Sequence, residues 1–470
     1  MKQLLLLRRS LISVRFSSYS VSPGATVSHD WPNPPVPAEN ADITIAGGGL
    51  VGSAMALAFA ASPLFKNHKI ILLESQSKLP KVSKNQPYSN RVCALNNQSI
   101  SLFQKLGAWD LMKSIRVQKV SRMQVWDACS ESLIAFDPTN QTDDNSLAYI
   151  VENDVIQSCL LERLKEFNVE LRLNSKVKKF EYDENSIRIQ LQDEKVNLRT
   201  GLLIAADGYQ SSIREMASIS TIQWNYDQFG VVATLQLADN MPDNVVAWQR
   251  FLPTGPIACL PLSNTHSSLV WTVPKSMHKT IMKLSDEQFV NEINKAFTSD
   301  VYKQNVAVSI TERLRSYWQQ IIPASPTIPQ YPPTIINVEP RSRAAFPLSL
   351  LNANQYVRPR LALVGDSAHR IHPMAGQGVN MGFGDVECLV KVLEQAVRDG
   401  ADFNSLTYLV DYERQRQAQC LARLLSIDSL NRLYSTKFLP IVALRSVGLS
   451  FVNEFSPFKN FFAKQASSSS

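Results

Sequence analysis

The sequence has few cysteines and no spacing that pairs them. Its 470 residues include six cysteines, none in a CxxC or CxxxC arrangement. This disfavours a zinc site and a dense disulfide framework, and it favours a reducing compartment. Long hydrophobic runs are also lacking, because the apolar stretch Leu4–Leu7 is far shorter than the ~20 residues that cross a bilayer. The sequence therefore predicts a soluble or peripheral protein.

The chain has only a small excess of basic over acidic residues. The first 30 residues hold four basic side chains and one acid, so the 48 basic and 41 acidic residues fall to 44 and 40 in the rest of the chain. Because no block rich in Lys and Arg accompanies this surplus, we predict no nucleic-acid partner. A hydrophobic share of 44% indicates a chain with a buried core and excludes disorder and collagen.

The first 30 residues have the composition of a targeting leader. They are rich in Ser and Leu, contain Arg8, Arg9 and Arg15, and have no acid before Asp30. This is typical of an amphipathic mitochondrial transit peptide, whereas the arginines interrupt the apolar region that a secretory signal needs. We predict that residues 1–30 are a disordered transit peptide.

A βαβ unit follows the Pro-rich joint at residues 31–37. Asp42–Ala46 is predicted as a short buried strand, and Leu50–Ala61 as a helix of small and apolar residues. Lys69–Glu74 is predicted as the second strand, at a distance along the chain that suits a βαβ unit.

Three glycines, Gly47, Gly49 and Gly52, form a GxGxxG pattern at the turn between that strand and helix. The first permits a tight turn, the second lets the backbone approach a pyrophosphate, and the third lets helix and strand pack closely. Unpaired N–H groups at the helix start then face the phosphate charge. Glu74 lies 22 residues after Gly52, where an acid accepts hydrogen bonds from the adenosine ribose. The pattern predicts a dinucleotide site and leaves NAD and FAD open.

Two later segments favour FAD. Residues 202–214 read as an apolar strand that ends in Asp207-Gly208, and a later apolar strand delivers Asp366. At that place an acid can accept hydrogen bonds from the ribityl hydroxyls of a flavin, a chain that NAD lacks. Four glycines lie around the following helix start and can bring main-chain N–H groups close to a flat ring, whose reduced form the positive helix end would favour: Gly376, Gly378, Gly382 and Gly384.

The middle of the chain leaves the helix-strand alternation. From about Trp224 to Val273, short runs alternate apolar and polar residues, as antiparallel strands do. Six prolines at 323–340 mark a loop or crossover, after which Arg360–Gly365 resumes a strand and Val379 a helix. We predict an α/β fold in which a Rossmann-like FAD-binding domain is interrupted by an antiparallel β-sheet substrate domain, with a helical C-terminal tail. The FAD-binding domain is assigned to 41–120, 150–215 and 341–415, the sheet domain to 121–149 and 216–340, and the tail to 416–470.

The motifs resemble, in order and spacing, the three fingerprints of single-component FAD aromatic hydroxylases of the para-hydroxybenzoate hydroxylase fold. The second fingerprint, DGxxSxxR, is matched by Asp207, Gly208, Ser211 and Arg214, and the third by Gly365-Asp366. Residues 372–385, HPMAGQGVNMGFGD, are similar to the signature of the ubiquinone-biosynthesis hydroxylase branch. The resemblance covers the chain from about residue 41 to 415.

The resemblance implies an FAD cofactor and further contacts to it. It places Arg91 near the diphosphate, Asp207 in a stretch that touches FAD, and the loop 373–380 against the isoalloxazine ring. No catalytic acid or base and no metal ligand is assigned, because the flavin carries the chemistry. The predicted cofactor-binding residues are Gly47, Gly49, Gly52, Glu74, Arg91, Asp207, Asp366, Gly376, Gln377, Gly378 and Asn380.

The resemblance also implies a reaction: C5-hydroxylation of a 3-polyprenyl-4-hydroxybenzoate through a flavin C4a-hydroperoxide. Electrons are expected from ferredoxin and ferredoxin reductase, and the enzyme is expected at the matrix face of the mitochondrial inner membrane, as a peripheral protein in a complex with other ubiquinone-biosynthesis enzymes. Two alternatives stay open: an NAD(P)H-dependent hydroxylase of a small phenol, and a non-catalytic scaffold of a lipid-biosynthesis complex.

Two further features have competing interpretations. The aromatic-rich stretch Phe438–Phe462 either lies in a membrane interface or caps the nucleotide domain. His369 and His372 invite a metal interpretation, but Pro373, the glycines and the lack of a neighbouring cysteine or acid cluster disfavour it.

Overall fold

The computed structural model describes residues 38–130, 132–136, 146–192, 197–238, 243–303, 331–372, 376, 378–436, 438, 440–442, 445, 446 and 448. The predicted leader, the loop residue Gln377 and the stretch beyond Gly448 lie outside the described residues. All described elements belong to one unit that begins at Ala38.

The strands are β1 Ala38–Ala46, β2 Ile70–Leu73, β3 Val92–Leu95, β4 Gln118–Val120, β5 Arg122–Asp127, β6 Leu133–Phe136, β7 Ala148–Glu152, β8 Val169–Arg172, β9 Val177–Tyr182, β10 Ile187–Leu191, β11 Asn197–Ala205, β12 Thr221–Leu237, β13 Val246–Leu252, β14 Gly255–Pro261, β15 His266–Pro274, β16 Ile335–Val338, β17 Ala344–Ala353, β18 Val357–Arg358, β19 Leu361–Leu363 and β20 His369–Arg370. The helices are α1 Leu50–Ala61, α2 Asn97–Lys105, α3 Trp109–Ile115, α4 Asn153–Leu164, α5 Ser212–Met216, α6 Lys275–Lys283, α7 Asp286–Thr298, α8 Gly378–Arg398 and α9 Leu406–Tyr434. Short 3-10 helices cover Pro63–Phe65 and Gly365–Ser367.

The first sheet carries the predicted βαβ unit. Its strands follow the order β18-β19-β11-β1-β2-β8, and the pairs from β19 to β8 are parallel. All four residues of β2 are buried, as expected for a parallel strand covered on both faces. Because parallel strands run the same way, the carboxyl ends of β2, β1, β11 and β19 lie along one edge of this sheet.

Helix α1 packs closely against this sheet through small and apolar side chains. It spans Leu50–Ala61, as the sequence predicts, and residues 52–59 are all buried. The helix contains no charged residue, so no ionised group is desolvated on either of its packed faces. It follows β1 after only three residues, which places its N-terminus at the carboxyl edge of the sheet.

The second sheet is mostly antiparallel, and the strands predicted between Trp224 and Val273 are confirmed as β12–β15. The order is β20-β17-β12-β15-β14-β13-β5-β6, with β16 paired to β12 and a parallel pair β13–β5. Its buried apolar cluster, which includes Phe289 and Phe297 of α7, is separate from the core of the first sheet. A third, small sheet has the order β3-β7-β4.

One predicted boundary needs correction. The strand β17 falls within the segment 341–415 that the sequence assigns to the FAD-binding domain, yet it pairs antiparallel with β12 of the second sheet. The sequence predicts that the chain returns to the first domain after the Pro-rich stretch at 323–340, but prolines mark where regular structure is interrupted and do not specify which strand pairs next. The chain rejoins the first sheet at β18.

The C-terminal residues are anchored to the second sheet by a buried ion pair. Arg445 donates through Nε and Nη2 to the two carboxylate oxygens of Asp127, at 2.9 and 3.0 Å, and neither side chain is exposed. Arg445 also donates to the carbonyl oxygen of Leu433, and Ser132 donates to that of Ser446 at 3.0 Å. The described part of the C-terminal stretch therefore packs on the second sheet, whereas the capping interpretation placed it on the nucleotide domain.

None of the described helices is long and apolar enough to span a membrane.

We expect Asp127→Asn to lower the free energy of unfolding by about 3 kcal/mol, because it leaves the Arg445 guanidinium buried without a counter-charge. Denaturant titration followed by tryptophan fluorescence measures this change. Asp110→Asn is the matched control, because Asp110 forms an exposed pair with Lys113 at 2.7 Å, and such pairs contribute little. Equal stability of the two variants would contradict the anchoring role.

Candidate functional site

The three sequence motifs meet at the carboxyl edge of the first sheet. The GxGxxG turn follows β1, Asp207 follows β11, and Gly365-Asp366 follows β19, while Glu74 follows β2. These four strands are adjacent in the order β19-β11-β1-β2, and neighbouring strands are only about 4.8 Å apart. This edge is where open α/β sheets bind their ligands.

The glycines of the first motif differ in what they accommodate. Gly47 has φ +112, and a Cβ there would lie 2.3 Å from the carbonyl oxygen of Ala206. A Cβ at Gly52 would lie 1.8 Å from the carbonyl oxygen of Gly47. At Gly49, by contrast, a Cβ would meet no atom within 4 Å. Gly47 and Gly52 are therefore required by the turn itself, and Gly49 borders open space at the N-terminus of α1.

Glu74 is attached to the glycine turn. Its Oε2 accepts a hydrogen bond from the Gly48 main-chain nitrogen at 2.8 Å, and its Oε1 accepts from that of Gln76 at 2.8 Å. The side chain is 7% exposed. A carboxylate has about four acceptor positions, so Glu74 can also receive a ribose hydroxyl. Gln157, for which the sequence predicts no role, holds the same residue by donating to the Gly48 carbonyl oxygen at 2.5 Å.

Asp207 has one carboxylate oxygen that is hydrogen-bonded and one that is not, among the described residues. Its Oδ2 accepts from the Ile213 main-chain nitrogen at 3.3 Å, whereas its buried Oδ1 has no hydrogen-bond partner among the described residues. Desolvation raises the pKa of this carboxyl above its ordinary value. A hydroxyl or N–H group of a bound cofactor would satisfy this oxygen.

The rest of the DGxxSxxR motif links the second motif to the third. Ser211 caps α5 by accepting from the Arg214 main-chain nitrogen at 3.0 Å. The buried Arg214 guanidinium donates to the carbonyl oxygens of Ser367 at 2.8 Å and Tyr209 at 2.9 Å. The sequence matches these residues to a pattern without indicating that Arg214 joins two motifs, because Ser367 follows a different strand, far along the chain.

Asp366 lies in the short 3-10 helix that follows β19 at this edge. Its side chain is exposed to solvent, yet desolvation raises the pKa of its carboxyl, opposed by the charges of Arg370 and His369. Both observations hold for a side chain that faces a recess within the protein instead of the outer surface. Within the described part of the chain, no donor is bonded to its carboxylate.

Removing the Asp366 charge is expected to stabilise the protein without FAD. An acid whose pKa is higher in the folded state destabilises that state when ionised, so Asp366→Asn raises the free energy of unfolding of the apoprotein at neutral pH. The gain shrinks as the pH falls through the raised pKa, since the wild-type carboxyl is then neutral too. Denaturation of both apoproteins across pH measures it, and a less stable apo variant at neutral pH would contradict it. FAD affinity moves the other way, with the Kd rising about tenfold.

The start of α8 carries several of the predicted cofactor-binding residues. Gly376 has φ +59, and Gly378 begins the helix one residue before the predicted start at Val379, whereas Gln377 lies outside the described residues. The side chain of Asn380 is hydrogen-bonded to protein atoms. Its Oδ1 accepts from Asn96 N and Ser99 Oγ, and its Nδ2 donates to the carbonyl oxygens of Ala94 and Gly376. Asn380 therefore ties the start of α8 to Gly376 and to Ala94 of β3, and only its main chain is left for a cofactor contact.

The other two glycines of this segment serve packing, which corrects the sequence analysis. A Cβ at Gly382 would lie 2.5 Å from Cγ2 of Val51 in α1, and one at Gly384 would lie 2.9 Å from the Arg416 guanidinium. Both glycines are buried inside α8. They let α1 and Arg416 approach this helix and do not place N–H groups against a ring.

Arg91 is carried by a constrained loop. Its main-chain oxygen accepts from Asn153 N at 2.9 Å, and Glu152 accepts from Ser89 N and Arg116 Nε, each at 2.5 Å. The Arg91 side chain is exposed. No contact among the described residues joins it to the glycine turn or to Asp366, so its diphosphate contact stays a prediction.

The premise that no acid or cysteine accompanies His369 is wrong. Asp385 and Cys420 bring ligand atoms within 4.8 Å of those of His369, a grouping that a metal ion can use. However, the Arg416 Nε already donates to Asp385 Oδ1 at 2.6 Å, so a cation occupies that carboxylate. Asp385 and Arg416 were not assigned a role from sequence, since they are far apart along the chain.

The residues at this edge fit a flavin dinucleotide. Open space at Gly49 admits a diphosphate beside the helix N-terminus, Glu74 suits the adenosine ribose, and Asp366 suits the ribityl hydroxyls. The buried Oδ1 of Asp207 is an acceptor that the described protein groups leave unused.

Comparisons with known proteins agree with this geometry. Residues 40–320 and 330–423 match the family described as FAD binding domain. The chain is 45% identical over 428 residues to Ubiquinone biosynthesis monooxygenase COQ6, mitochondrial, of Mus musculus, covering 89% of each chain. Its identity to the proteins of that name is 43% in Xenopus tropicalis, covering 89% of this chain and 91% of the relative, and 42% in Homo sapiens, covering 89% and 90%.

Solved structures show the same fold at low sequence identity. p-Nitrophenol 4-monooxygenase PnpA from Pseudomonas putida superposes with a TM-score of 0.66 at 17% identity, covering 91% of this chain and 98% of PnpA. PqsL of P. aeruginosa in complex with 2-aminobenzoylacetate gives 0.65 at 17% identity, covering 87% and 100%. The family match and the curated relatives cover most of the chain. The chain therefore belongs to the COQ6 family of ubiquinone biosynthesis monooxygenases and is an FAD-dependent monooxygenase.

Proposed function

We propose that this enzyme hydroxylates C5 of a 3-polyprenyl-4-hydroxybenzoate in the mitochondrion, with electrons from ferredoxin and ferredoxin reductase. The observation that carries the proposal is the convergence of Glu74, the Gly49 turn and Asp366 on one sheet edge, in a chain at least 42% identical to the relatives described above. The relatives' names supply the pathway. The ring position, the donor and the substrate's tail are proposed from the family resemblance.

Each element of the chain has a defined part in this scheme. Bound FAD supplies O2 reduction and transfer of one oxygen atom to an electron-rich ring. The turn at Gly49 and the N-terminus of α1 hold the diphosphate, while Glu74 and Asp366 hold the ribose and ribityl hydroxyls. The start of α8 would lie beside the ring system, and its positive end would favour the electron-rich, reduced state. The protein's remaining task is to exclude water and to place the substrate ring.

The test is a reconstituted reaction. Purified holoenzyme, ferredoxin, ferredoxin reductase and NADPH are mixed with 3-polyprenyl-4-hydroxybenzoate under air, and the product is analysed by mass spectrometry and NMR. The proposal predicts one added oxygen atom, located at C5. Oxygen at another ring position, or no oxygenated product from a flavin-loaded enzyme, would overturn it.

The electron donor is tested separately. The NAD(P)H-dependent alternative predicts that NADH or NADPH alone bleaches the flavin absorbance rapidly under anaerobic conditions. Our proposal predicts slow bleaching with either nucleotide and rapid bleaching when ferredoxin and its reductase are added. Rapid bleaching by NADH or NADPH alone would refute ferredoxin dependence and leave the hydroxylation itself standing.

The proposed location is peripheral, at the matrix side of the inner membrane and in a complex with other enzymes of the pathway. Phe438 is 63% exposed and Leu430 on α9 is 44% exposed, which supports a surface contact near the C-terminus. Truncation after Gly448 keeps the Arg445 anchor, so partition of this variant and of the full chain onto cardiolipin-containing vesicles can be compared. Equal partition would remove residues 449–470 from the membrane contact.

A further inference from the structure

The turn that carries Asp366 is held by hydrogen bonds to neighbouring strands and to Arg214. Ser367 Oγ accepts from Val364 N at 3.1 Å and donates to the Ala205 carbonyl oxygen at 2.6 Å. The Ser367 carbonyl oxygen accepts from Arg214 at 2.8 Å. Asp366 is the exception, because its carboxylate faces the recess without a described donor. The turn is thus built to present this one side chain.

One carboxylate oxygen of Asp385 accepts hydrogen bonds from both sides of this turn. Oδ2 of Asp385 accepts from the Gly365 main-chain nitrogen at 2.8 Å and from Nε2 of His369 at 2.7 Å. The two donors flank Asp366 in the chain, one residue before it and three residues after it. Asp385 is fully buried and His369 is 1% exposed, so neither interaction is weakened by water.

The other oxygen of Asp385 is tied to the C-terminal helix. Oδ1 accepts from Arg416 Nε at 2.6 Å, and Arg416 also donates to the Met381 carbonyl oxygen at 2.8 Å. Arg416 reaches this place only because residue 384 is glycine, where a Cβ would lie 2.9 Å from its guanidinium. The sequence GFGD at residues 382–385 therefore supplies both the Asp385 carboxylate and, at Gly384, the space that the Arg416 guanidinium occupies.

The charges of this cluster are consistent with its geometry. Desolvation opposes protonation of His369, but the Asp385 carboxylate outweighs it and raises the pKa of the imidazole. Desolvation likewise opposes ionisation of Asp385, but His369 and Arg416 lower the pKa of its carboxyl. Both shifts favour the charged forms of His369 and Asp385, so the hydrogen bond between them has the character of an ion pair beside the Arg416 guanidinium.

We propose that Asp385 is a positioning residue: it clamps Gly365 and His369 so that the Asp366 carboxylate is held where the ribityl chain of FAD binds. This inference rests on the proposed contact between Asp366 and the ribityl hydroxyls. The geometry that carries it is the pair of hydrogen bonds at Oδ2, which spans the residue to be positioned.

The test is FAD binding, measured by flavin fluorescence titration of the apoprotein, together with a double-mutant cycle. Asp385→Asn replaces an acceptor of three hydrogen bonds by an amide whose NH2 must face a donor, so the Kd for FAD is expected to rise about tenfold or more. In an Asp366→Asn background, Asp385→Asn is expected to add little further loss, because the side chain that it positions is already gone.

Asp127→Asn is the matched control. It breaks another buried carboxylate–arginine pair, which lies on a strand of the second sheet and not of the first, so it is expected to lower stability and leave the Kd for FAD unchanged. His369→Gln gives a second variant if Asp385→Asn does not fold, and it is expected to weaken FAD binding in the same direction.

The outcomes separate this inference from the assignment of Asp366. If Asp366→Asn leaves the Kd unchanged, the ribityl contact itself is wrong. If Asp366→Asn weakens binding but Asp385→Asn and His369→Gln do not, the positioning role is overturned. Fully additive losses in the cycle, or an equal loss of affinity in Asp127→Asn, would also overturn it, since both indicate a general loosening of the fold.

Discussion

Replacing Gly49 by valine is expected to give a folded protein that no longer binds FAD. Gly49 has φ −67 and ψ −168, a conformation open to any residue, and a Cβ there meets no protein atom within 4 Å. The added side chain instead fills the space beside the N-terminus of α1 that a diphosphate requires. We expect the Kd for FAD to rise more than about hundredfold, because the valine side chain occupies the space in which the diphosphate binds.

The measurement is the flavin-to-protein ratio of purified Gly49→Val, with circular dichroism to verify folding. Gly448→Val is the control, since a Cβ at Gly448 also meets nothing within 4 Å and the residue follows the Arg445 anchor on the second sheet. Retention of FAD by Gly49→Val at the wild-type ratio would contradict the assignment of this turn to the diphosphate.

Replacing Gly52 by alanine is expected to damage the fold itself. The new Cβ would lie 1.8 Å from the Gly47 carbonyl oxygen and 3.2 Å from Cβ of Ala206, so α1 must move away from β1. We expect the free energy of unfolding to fall by about 3 kcal/mol, at the upper end of the range for overpacking.

Chemical denaturation of the apoproteins separates the two glycines. Gly49→Ala is the matched control, because it adds the same methyl group in the same turn where space is open. The expected order of apoprotein stability is wild type equal to Gly49→Ala and well above Gly52→Ala. A Gly52→Ala protein as stable as wild type would mean that α1 does not pack as described.

Local features of this fold are predictable from the sequence. Helix α1 has the predicted bounds because a run of small apolar residues after a glycine turn admits few other structures. The strands before Asp207 and Asp366 end in short apolar runs. The sequence therefore predicts that both acids lie at the carboxyl ends of strands. The fold class and the FAD cofactor, inferred from the spacing of three motifs, are confirmed by the fold and the family match.

The parts that depend on distant partners are not predictable in this way. Strand β17 pairs with β12, and nothing in its own residues identifies that partner. Gly382 and Gly384 look like ring-facing glycines until Val51 and Arg416 are seen to occupy the space beside them. Asp385 appears as one letter of a motif, and its role emerges only when Gly365, His369 and Arg416 converge on it.

The most direct test of the central claim is to identify the quinone precursor that accumulates in cells whose only copy of the enzyme is Gly49→Val. If the FAD cleft at the edge of the first sheet performs ring hydroxylation, the precursor is a polyprenylated hydroxybenzoate without the C5 oxygen, and ubiquinone is lost. Accumulation of a precursor already oxygenated at that position would contradict this account. Full ubiquinone synthesis by this variant would contradict it as well and would favour a non-catalytic scaffold.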